Sequence, residues 1–270
     1  MNILEEIIHF KIKEIKDRHE LYPLKLLETS TYFNSDIVSM KKYLLRNDRV
    51  GIIAEIKRKS PSKGYINKYI SVEKISIGYM QAGASALSVL TDNNFFGGSN
   101  DDLKIARKFN FCPILRKDFI IDEYQVYESK SIGADVILLI AAALKPAKAK
   151  ELARLAKSLG LEVLLEVHNE HELGHINEFI DIVGVNNRDL KDFSIDLNRS
   201  VELSSKIPDN ILKISESGIN SAEAIIKLKA AGFRGFLIGG TFMKSSRPEV
   251  ECANLIKSVN KYTEENSFNI

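Results

Sequence analysis

The chain has 270 residues, of which 44% are hydrophobic and 27% are charged, and its formal net charge at pH 7 is +2. This balance is typical of a globular protein with one large core, and it excludes a disordered chain. The nearly even charge gives no reason to expect binding to nucleic acid or to an anionic membrane surface.

Residues 1–50 precede the regular part of the chain and predict helices. Leu4, Ile8, Ile12 and Ile15 form an apolar stripe with helical spacing. Two placements are open for this extension: it covers the bottom of the fold that follows, or part of it folds over the top and helps to enclose a substrate. No linker rich in Pro, Gly or Ser follows it, so we expect residues 1–270 to form one domain with an N-terminal helical extension.

From residue 51 onward, short β-branched stretches alternate with amphipathic stretches of helical spacing. The predicted strands are 51–57, 85–91, 113–117, 135–140, 161–167, 182–187, 211–215 and 235–239. The predicted helices are 71–82, 100–109, 122–132, 146–159, 169–179, 197–206, 221–231 and 248–263. Such alternation predicts parallel pairing through right-handed crossovers. An open doubly wound sheet shares the pattern, but eight near-regular repeats favour a closed (β/α)8 barrel, the TIM barrel.

Five of the predicted strands end in charged or amide side chains. A buried charge is costly unless it is paired or used. In a parallel barrel the carboxyl ends of the strands surround one pocket, which is where barrel enzymes have their active sites. The side chains concerned are Glu55, Lys57, Lys117, Glu166, Asn186, Arg188 and Glu216, and the hydroxyl of Ser217 follows directly after the last of them. We therefore expect them to meet in one polar pocket.

Two of these positions suggest acid–base chemistry. Glu55 and Lys57 are two residues apart, so they share one side of a strand and predict an opposite-charge pair inside the barrel. At Lys117, burial and nearby cations such as Lys57 are expected to shift the pKa and give a candidate general acid near neutral pH. The alternative for Lys117 is a surface lysine paired with Asp118.

The loops after three strands suggest a phosphate site. Ser60 lies among several cations after the first strand, in a loop that could bind phosphate or form a solvated turn. Gly218 follows the seventh strand, and Gly239 and Gly240 lie at the end of the eighth. Glycines there favour a cradle of backbone N–H groups, and barrels often bind phosphate between these two loops.

The aromatic residues Phe95, Phe96 and Phe119 lie in or beside the same group of loops. They are candidates for a platform under an aromatic substrate, and ordinary core packing is the alternative. His168, His171 and His175 are close in sequence, but no carboxylate–histidine motif frames them, so we predict no metal site.

Cys112 and Cys252 form no CxxC motif, which argues against a disulfide framework and favours a reduced, cytoplasmic location. The longest apolar run, 136–144, is too short to span a bilayer. We expect no membrane partner.

Together these segments resemble the indole-3-glycerol-phosphate synthase family. The resemblance rests on IIAEIKRKSPSKG, SVLTDNNFFGGS, PILRKDFIID with GADVILLI, LLEVHNEHEL, GVNNRDL, SESGI and FLIGGTFM, which cover nearly all of residues 50–245. It implies a carbon–carbon lyase that converts 1-(2-carboxyphenylamino)-1-deoxyribulose 5-phosphate to indole-3-glycerol phosphate, carbon dioxide and water. It also implies that the partner is this phosphorylated aromatic amino-sugar substrate and that no cofactor is needed. We further expect a cytoplasmic protein and a monomer, although the sequence itself does not give the oligomeric state.

The resemblance also implies a role for each candidate residue. Lys117 would be the general acid, Glu166 the base or the partner of cationic intermediates, and Lys57 a second acid paired with Glu55. The residues that would orient the substrate and the catalytic side chains are Asn186, Arg188, Glu216 and Ser217. Those that would hold the phosphate are Lys57, Ser60, Gly218, Gly239 and Gly240, and those that would line the aromatic pocket are Phe96, Phe119 and Leu138.

One position departs from the family pattern, and two other functions compete. Gly240 stands where the family often has a residue with a side chain, although a backbone N–H remains available there. A different phosphate-binding barrel, such as phosphoribosylanthranilate isomerase, would not need Lys117 and Glu166 together with the Glu55–Lys57 pair. A binding barrel that has lost turnover would not need every acid–base position to be filled.

Overall fold

The computed structural model describes residues 3–190 and 192–267. Eight parallel strands close into a barrel in which each strand pairs with the next and the last pairs with the first. They are β1 Ile52–Ile56, β2 Ala86–Leu90, β3 Ile114–Lys117, β4 Val136–Ile140, β5 Glu162–Val167, β6 Ile182–Asn186, β7 Leu212–Glu216 and β8 Gly235–Ile238. All eight coincide with predicted strands, so the (β/α)8 barrel is confirmed.

The strands are buried on both faces, which explains why they read as continuous apolar runs. Ile53 of β1 points into the barrel and packs with Leu115, Leu164 and Leu237. Its neighbour Ile52 points outward into the core between the barrel and the helices. Burying one aliphatic side chain contributes about 1.5–3 kcal/mol, so these two layers supply much of the stability.

The helices in the described part of the chain mostly follow the predicted pattern. They are α1 Ile3–Leu21, α2 Leu24–Glu28, α3 Met40–Leu44, α4 Val72–Gln81, α5 Asn100–Phe109, α6 Glu123–Ser131, α7 Pro146–Ser158, α8 Asn198–Ser204, α9 Ala222–Ala230, α10 Gly240–Met243 and α11 Pro248–Ser267. In that part of the chain, no helix is both long and apolar enough to cross a bilayer.

The predicted helix 169–179 is wrong. A six-residue 3-10 segment, Glu170–His175, takes its place. Side chains here bond to nearby backbone groups: Asn169 accepts from the N–H of Glu172, and Asn177 accepts from the N–H of Phe179. Such local bonds compete with the helical ladder, and Gly174 weakens helix propensity further.

The N-terminal extension reaches both ends of the barrel, so each of the two placements holds for a different part of it. At the bottom, the carboxylate of Glu162 accepts from the backbone N–H of Met40 at 2.8 Å and of Lys41 at 3.1 Å. Met40 and Leu44 of α3 then close the interior core. At the top, Ile3 and other residues of α1 face the cavity described below.

The apolar stripe predicted for α1 is only partly correct. Ile12 is 60% exposed, whereas Ile7 and Lys11 form the buried face. The apolar spacing of α1 does not predict that Lys11 is buried, because the carboxylates that match its charge are brought near only in the folded chain.

Candidate active site

A cavity of about 310 Å³ opens at the carboxyl ends of the strands. Every residue to which the family resemblance gives a role lines it: Glu55, Lys57, Ser60, Phe96, Lys117, Phe119, Leu138, Glu166, Asn186, Arg188, Glu216, Ser217, Gly218, Gly239 and Gly240. The strand ends therefore converge as the barrel geometry predicts.

Lys117, at the end of β3, lies at the centre of the charged part of this cavity. Its Nζ is 2.8 Å from Oε2 of Glu166 and 3.3 Å from Oε2 of Glu216. The Lys117 side chain is 14% exposed and both carboxylates are nearly fully buried. Three strands thus bring one ammonium between two carboxylates.

The pKa of Lys117 differs from the sequence prediction, which expected burial and nearby cations to make it an acid near neutral pH. Burial does work against the charged form, but the carboxylates of Glu166, Glu216 and Glu55 outweigh it, and the pKa is raised above its usual range. Burial acts to raise the pKa of Glu166, but the charges of Lys117 and His168, with the hydrogen bonds from Lys117 and Asn186, together outweigh it and lower the pKa. At neutral pH the pair is an ammonium and a carboxylate.

Glu216 behaves differently from Glu166. Burial of the Glu216 carboxylate and the negative charge of Glu166 raise its pKa to about 7, although the Lys117 ammonium acts in the opposite direction. Its Oε1 is buried and has no hydrogen-bond partner in the described part of the chain. Two carboxylates with separated pKa values next to one ammonium are typical of a site for proton transfer.

Glu55 and Lys57 form the opposite-charge pair that their spacing predicts. The Lys57 ammonium contacts Oε1 of Glu55, which is buried at the end of β1. A side chain on residue 239 would begin less than 3.0 Å from that oxygen. Glycine at 239 therefore makes room for the Glu55 carboxylate, in addition to its predicted place near phosphate.

Asn186 and Arg188 share the cavity wall beyond β6. The Asn186 amide donates to Oε1 of Glu166 at 3.2 Å and accepts from the backbone N–H of Arg188 at 3.0 Å. The Arg188 guanidinium donates to the carbonyl of Phe193 at 3.0 Å. Asn186 thus orients Glu166, while Arg188 places a fixed cation at the cavity wall.

One end of the cavity is cationic. Lys63 and Lys244 line it together with Arg188 and Lys57. Burial, followed by repulsion from Lys244, Arg188 and Lys57, lowers the pKa of Lys63. Cations that repel one another at a shared site favour an anion between them, and backbone of Gly218, Gly239 and Gly240 borders the same space.

Lys244 was missed by the sequence analysis, and Lys63 was treated only as one cation of a loop. The signal for Lys244 is weak, because it follows the four-residue helix α10 and only the fold brings it to the cavity. Ser217 (φ 67°) and Gly218 (φ 78°) adopt left-handed backbone conformations at the end of β7. A non-glycine residue in that region is uncommon and is typical of a functional turn.

The other end of the cavity is apolar. The rings of Phe96 and Phe119 lie 6.0 Å apart at 37°, and Leu138 lines the cavity with them. Ile3, Leu4 and Ile7 of α1 also line the cavity. Phe95, the third aromatic candidate, does not line the cavity and packs against Phe10, with the two centroids 5.6 Å apart.

In the described ranges, no three or more His, Cys, Asp or Glu side chains are placed to hold a metal ion. His168 instead lies between two carboxylates, with Nδ1 3.2 Å from Glu172 and Nε2 3.4 Å from Glu166. Burial opposes the charged imidazole, but Glu172 and Glu166 outweigh this effect and raise its pKa. The cavity therefore combines an apolar end, an ammonium between two carboxylates and a cationic end.

Solved structures of low sequence identity share the fold alone. Tryptophan synthase subunit alpha from Legionella pneumophila matches at 14% identity with a TM-score of 0.60, covering 84% of this chain and 97% of that one. The 3-hexulose-6-phosphate synthase of Salmonella typhimurium matches at 12% identity with a TM-score of 0.62, covering 78% of this chain and 99% of that one.

Sequence comparison is more specific. The family model described as indole-3-glycerol phosphate synthase matches residues 4–255. Proteins of that name from Bacteroides thetaiotaomicron and Caldanaerobacter subterraneus are 48% and 42% identical to this chain. The first match covers 96% of this chain and 99% of the relative, and the second covers 92% and 96%. The chain therefore belongs to the indole-3-glycerol phosphate synthase family.

Proposed function

We propose that the cavity carries out the reaction of this family with Lys117, Glu166 and Lys57 as its proton-transfer groups. The enzyme closes the indole ring of 1-(2-carboxyphenylamino)-1-deoxyribulose 5-phosphate, with loss of carbon dioxide and water, in tryptophan biosynthesis. The observation that carries the assignment is the Lys117 ammonium held between Glu166 and Glu216. It lies between an apolar end and a cationic end, which match the two ends of the substrate.

Ring closure joins an aromatic carbon to the substrate ketone and leaves charge on the ketone oxygen. Lys117 supplies a proton to that oxygen, and Glu166 stabilises the positive charge that develops on the substrate. This developing cation competes with Lys117 for the same carboxylates. The ammonium therefore loses part of the stabilisation that raises its pKa in the free enzyme, at the step where it must give up its proton.

Loss of carbon dioxide restores a neutral intermediate, and the last step removes water. This step needs an acid for the leaving hydroxyl and a base for the adjacent carbon. Lys57, held by Glu55, is the proposed acid, and Glu166, oriented by Asn186, is the base. Glu216 keeps Lys117 charged and in place.

The two ends of the cavity hold the two ends of the substrate. Phe96, Phe119 and Leu138 pack against the aromatic ring. The groups proposed for the phosphate are Lys57, Ser60, Lys63, Lys244 and the backbone of Gly218, Gly239 and Gly240. Arg188 and Ser217 orient the substrate between these ends.

The experiment that tests this function mixes the purified protein with the carboxyphenylamino-deoxyribulose phosphate, without added metal, and follows the fluorescence of the indole product. The wild-type protein should give a steady increase. Lys117→Met should lower kcat by about a thousandfold or more while substrate binding stays measurable. Lys148→Met, a half-buried lysine paired with Glu151 on α7 and outside the cavity, is the control and should keep full activity. Full activity of Lys117→Met would refute the assignment of the acid.

We further propose that the enzyme works as a one-domain monomer in the cytoplasm, with neither a nucleic acid nor a membrane as partner. The contacts of the extension with both ends of the barrel support the single domain, and the two buried free cysteines fit a reduced compartment. Light scattering of the active protein should give a mass of about 30.4 kDa. Twice that mass would contradict the monomer.

A further inference from the structure

Lys11 places a buried charge where α1 meets two loops at the top of the barrel. Its side chain is 1% exposed, and its Nζ lies 3.0 Å from Glu14, 3.0 Å from Asp92 and 2.9 Å from Asp118. A lysine ammonium has three N–H donors, and here each of them has a carboxylate. Removing such an ammonium from water costs free energy, so we expect the buried Lys11 to have a structural or functional role.

Two of these carboxylates hold the loops that carry the aromatic wall of the cavity. Oδ1 of Asp92 accepts from the backbone N–H of Phe96 at 3.2 Å, while Oδ2 contacts Lys11. Oδ1 of Asp118 accepts from the backbone N–H of Phe119 at 2.8 Å and also contacts Lys11. One ammonium therefore links the backbone of Phe96, after β2, to the backbone of Phe119, after β3.

Asp118 and Asp92 differ in how strongly each depends on Lys11 for a cation. Asp118 has a second cation, Arg116, at 3.3 Å. For Asp92, Lys11 is the only cation within 4.0 Å in the ranges 3–190 and 192–267. Although burial works against the Lys11 ammonium, Asp118 and Asp92 outweigh it and raise its pKa, so the link stays charged at neutral pH.

We propose that Lys11 is a positioning residue for the aromatic end of the substrate: it fixes the rings of Phe96 and Phe119 relative to each other and holds α1 beside them. This inference rests on the function proposed above for the cavity. Lys11 acts through Asp92 and Asp118, and it does not line the cavity itself. The phosphate end lies on other loops: Lys244 follows α10, and Lys63 follows β1 in a loop that meets the Phe96 loop through Lys59 and Arg58. We therefore expect this end to depend on Lys11 much less than the aromatic end does.

Two small probes separate the ends of the cavity in an inhibition assay with the natural substrate. Inorganic phosphate reports on the cationic end, and 2-aminobenzoate reports on the aromatic end. Lys11→Met should weaken inhibition by 2-aminobenzoate by about tenfold or more, because misplaced rings lose their contacts with it. Inhibition by phosphate should stay within about twofold of the wild type. Lys13→Met, on the exposed face of α1, should leave both constants unchanged.

Lys11→Met leaves the Asp92 carboxylate without its cation and lowers stability. A second variant, Lys11→Met with Asp92→Asn, removes that charge and keeps an amide oxygen that can accept from the N–H of Phe96. The folded double variant should show the same selective loss.

Equal weakening of both probes, or no change in either, would overturn the role of Lys11. Turnover by the wild-type enzyme is measured in the same assay. If the wild type converts the substrate and the Lys11 variants bind 2-aminobenzoate as well as the wild type does, the role of Lys11 is refuted and the proposed function stands. A wild type without turnover would refute the proposed function.

Discussion

The carboxylate of Glu216 on β7 fills the space beside Gly184 on the neighbouring strand β6. A side chain on residue 184 would begin less than 3.0 Å from Oε1 of Glu216 and 3.1 Å from a methyl group of Leu164. The same carboxylate reaches Lys117 with its other oxygen, at 3.3 Å. The arrangement of charges around Lys117 therefore requires a glycine, which has no side chain, at residue 184.

Gly184→Ala should displace the Glu216 carboxylate and lower activity. The added methyl group has no free space, and such overpacking costs about 1–3 kcal/mol of the free energy of unfolding. We expect kcat to fall by about tenfold to a hundredfold, because Lys117 loses a partner whose position matters on the scale of 1 Å. Gly174→Ala is the matched control, since no atom lies within 4 Å of its added carbon. Unchanged kcat in a folded Gly184→Ala variant would show that the position of Glu216 is unimportant.

Glu216 should also make stability depend on pH in a predictable direction. Burial, and then the charge of Glu166, raises its pKa from 4.5 to about 7. Between these values the folded chain keeps a proton that the unfolded chain has lost, so the free energy of unfolding falls as the pH rises through this window. The pKa of Glu166 is lowered instead, and its contribution is lost only as the pH falls below about 4.5.

Glu216→Gln isolates this contribution, because the other titrating groups are common to both proteins. Relative to the wild type, the variant should gain on the order of 3 kcal/mol between about pH 4.5 and pH 7. Urea denaturation at a series of pH values measures the difference. Two parallel stability curves over this range would contradict the raised pKa.

The cations at one end of the cavity predict that phosphate binds there. Burial and repulsion among Lys63, Lys244, Arg188 and Lys57 lower the pKa of Lys63, so an anion bound there relieves the repulsion. Lys244→Met should weaken inhibition by inorganic phosphate by about tenfold, because it removes one charged partner of a phosphate. Lys68→Met serves as the control, since that lysine lies over the rings of Tyr65 and Tyr69. Equal inhibition of the wild type and Lys244→Met would place the phosphate elsewhere.

The central part of this site could be predicted from the sequence because it follows from two regular features of a parallel barrel. Side chains two residues apart share one side of a strand, which gave the Glu55–Lys57 pair, and parallel strands end at one edge of a barrel. Lys117 and Glu166 are 49 positions apart in sequence, yet each ends a strand of the same barrel. No knowledge of packing was needed to bring them together.

The rest depended on contacts that no local pattern encodes. The pKa of Lys117 is set by how many carboxylates surround it, and the strand ends alone did not show that Glu166, Glu216 and Glu55 outnumber the cations. Lys11 reads as a polar residue on an amphipathic helix until Asp92 and Asp118 are placed beside it. The error at 169–179 has a different origin, because there local bonds of Asn169 and Asn177 replaced the helical ones.

The bottom of the barrel should affect stability without affecting catalysis. Glu162 begins β5, at the end opposite the cavity, and its carboxylate accepts from Ser39 and from the backbone N–H groups of Met40 and Lys41 at the start of α3. Hydrogen bonds to a charged group contribute about 1.5–3 kcal/mol, so Glu162→Gln should lower the free energy of unfolding by about that amount. The strand ends that carry Lys117 and Glu166 are fixed by the barrel, and kcat measured well below the unfolding temperature should stay within about twofold of the wild type. Chemical denaturation and steady-state kinetics on the same preparation check both parts. A large fall in kcat with unchanged stability would mean that α3 influences the cavity through the barrel interior.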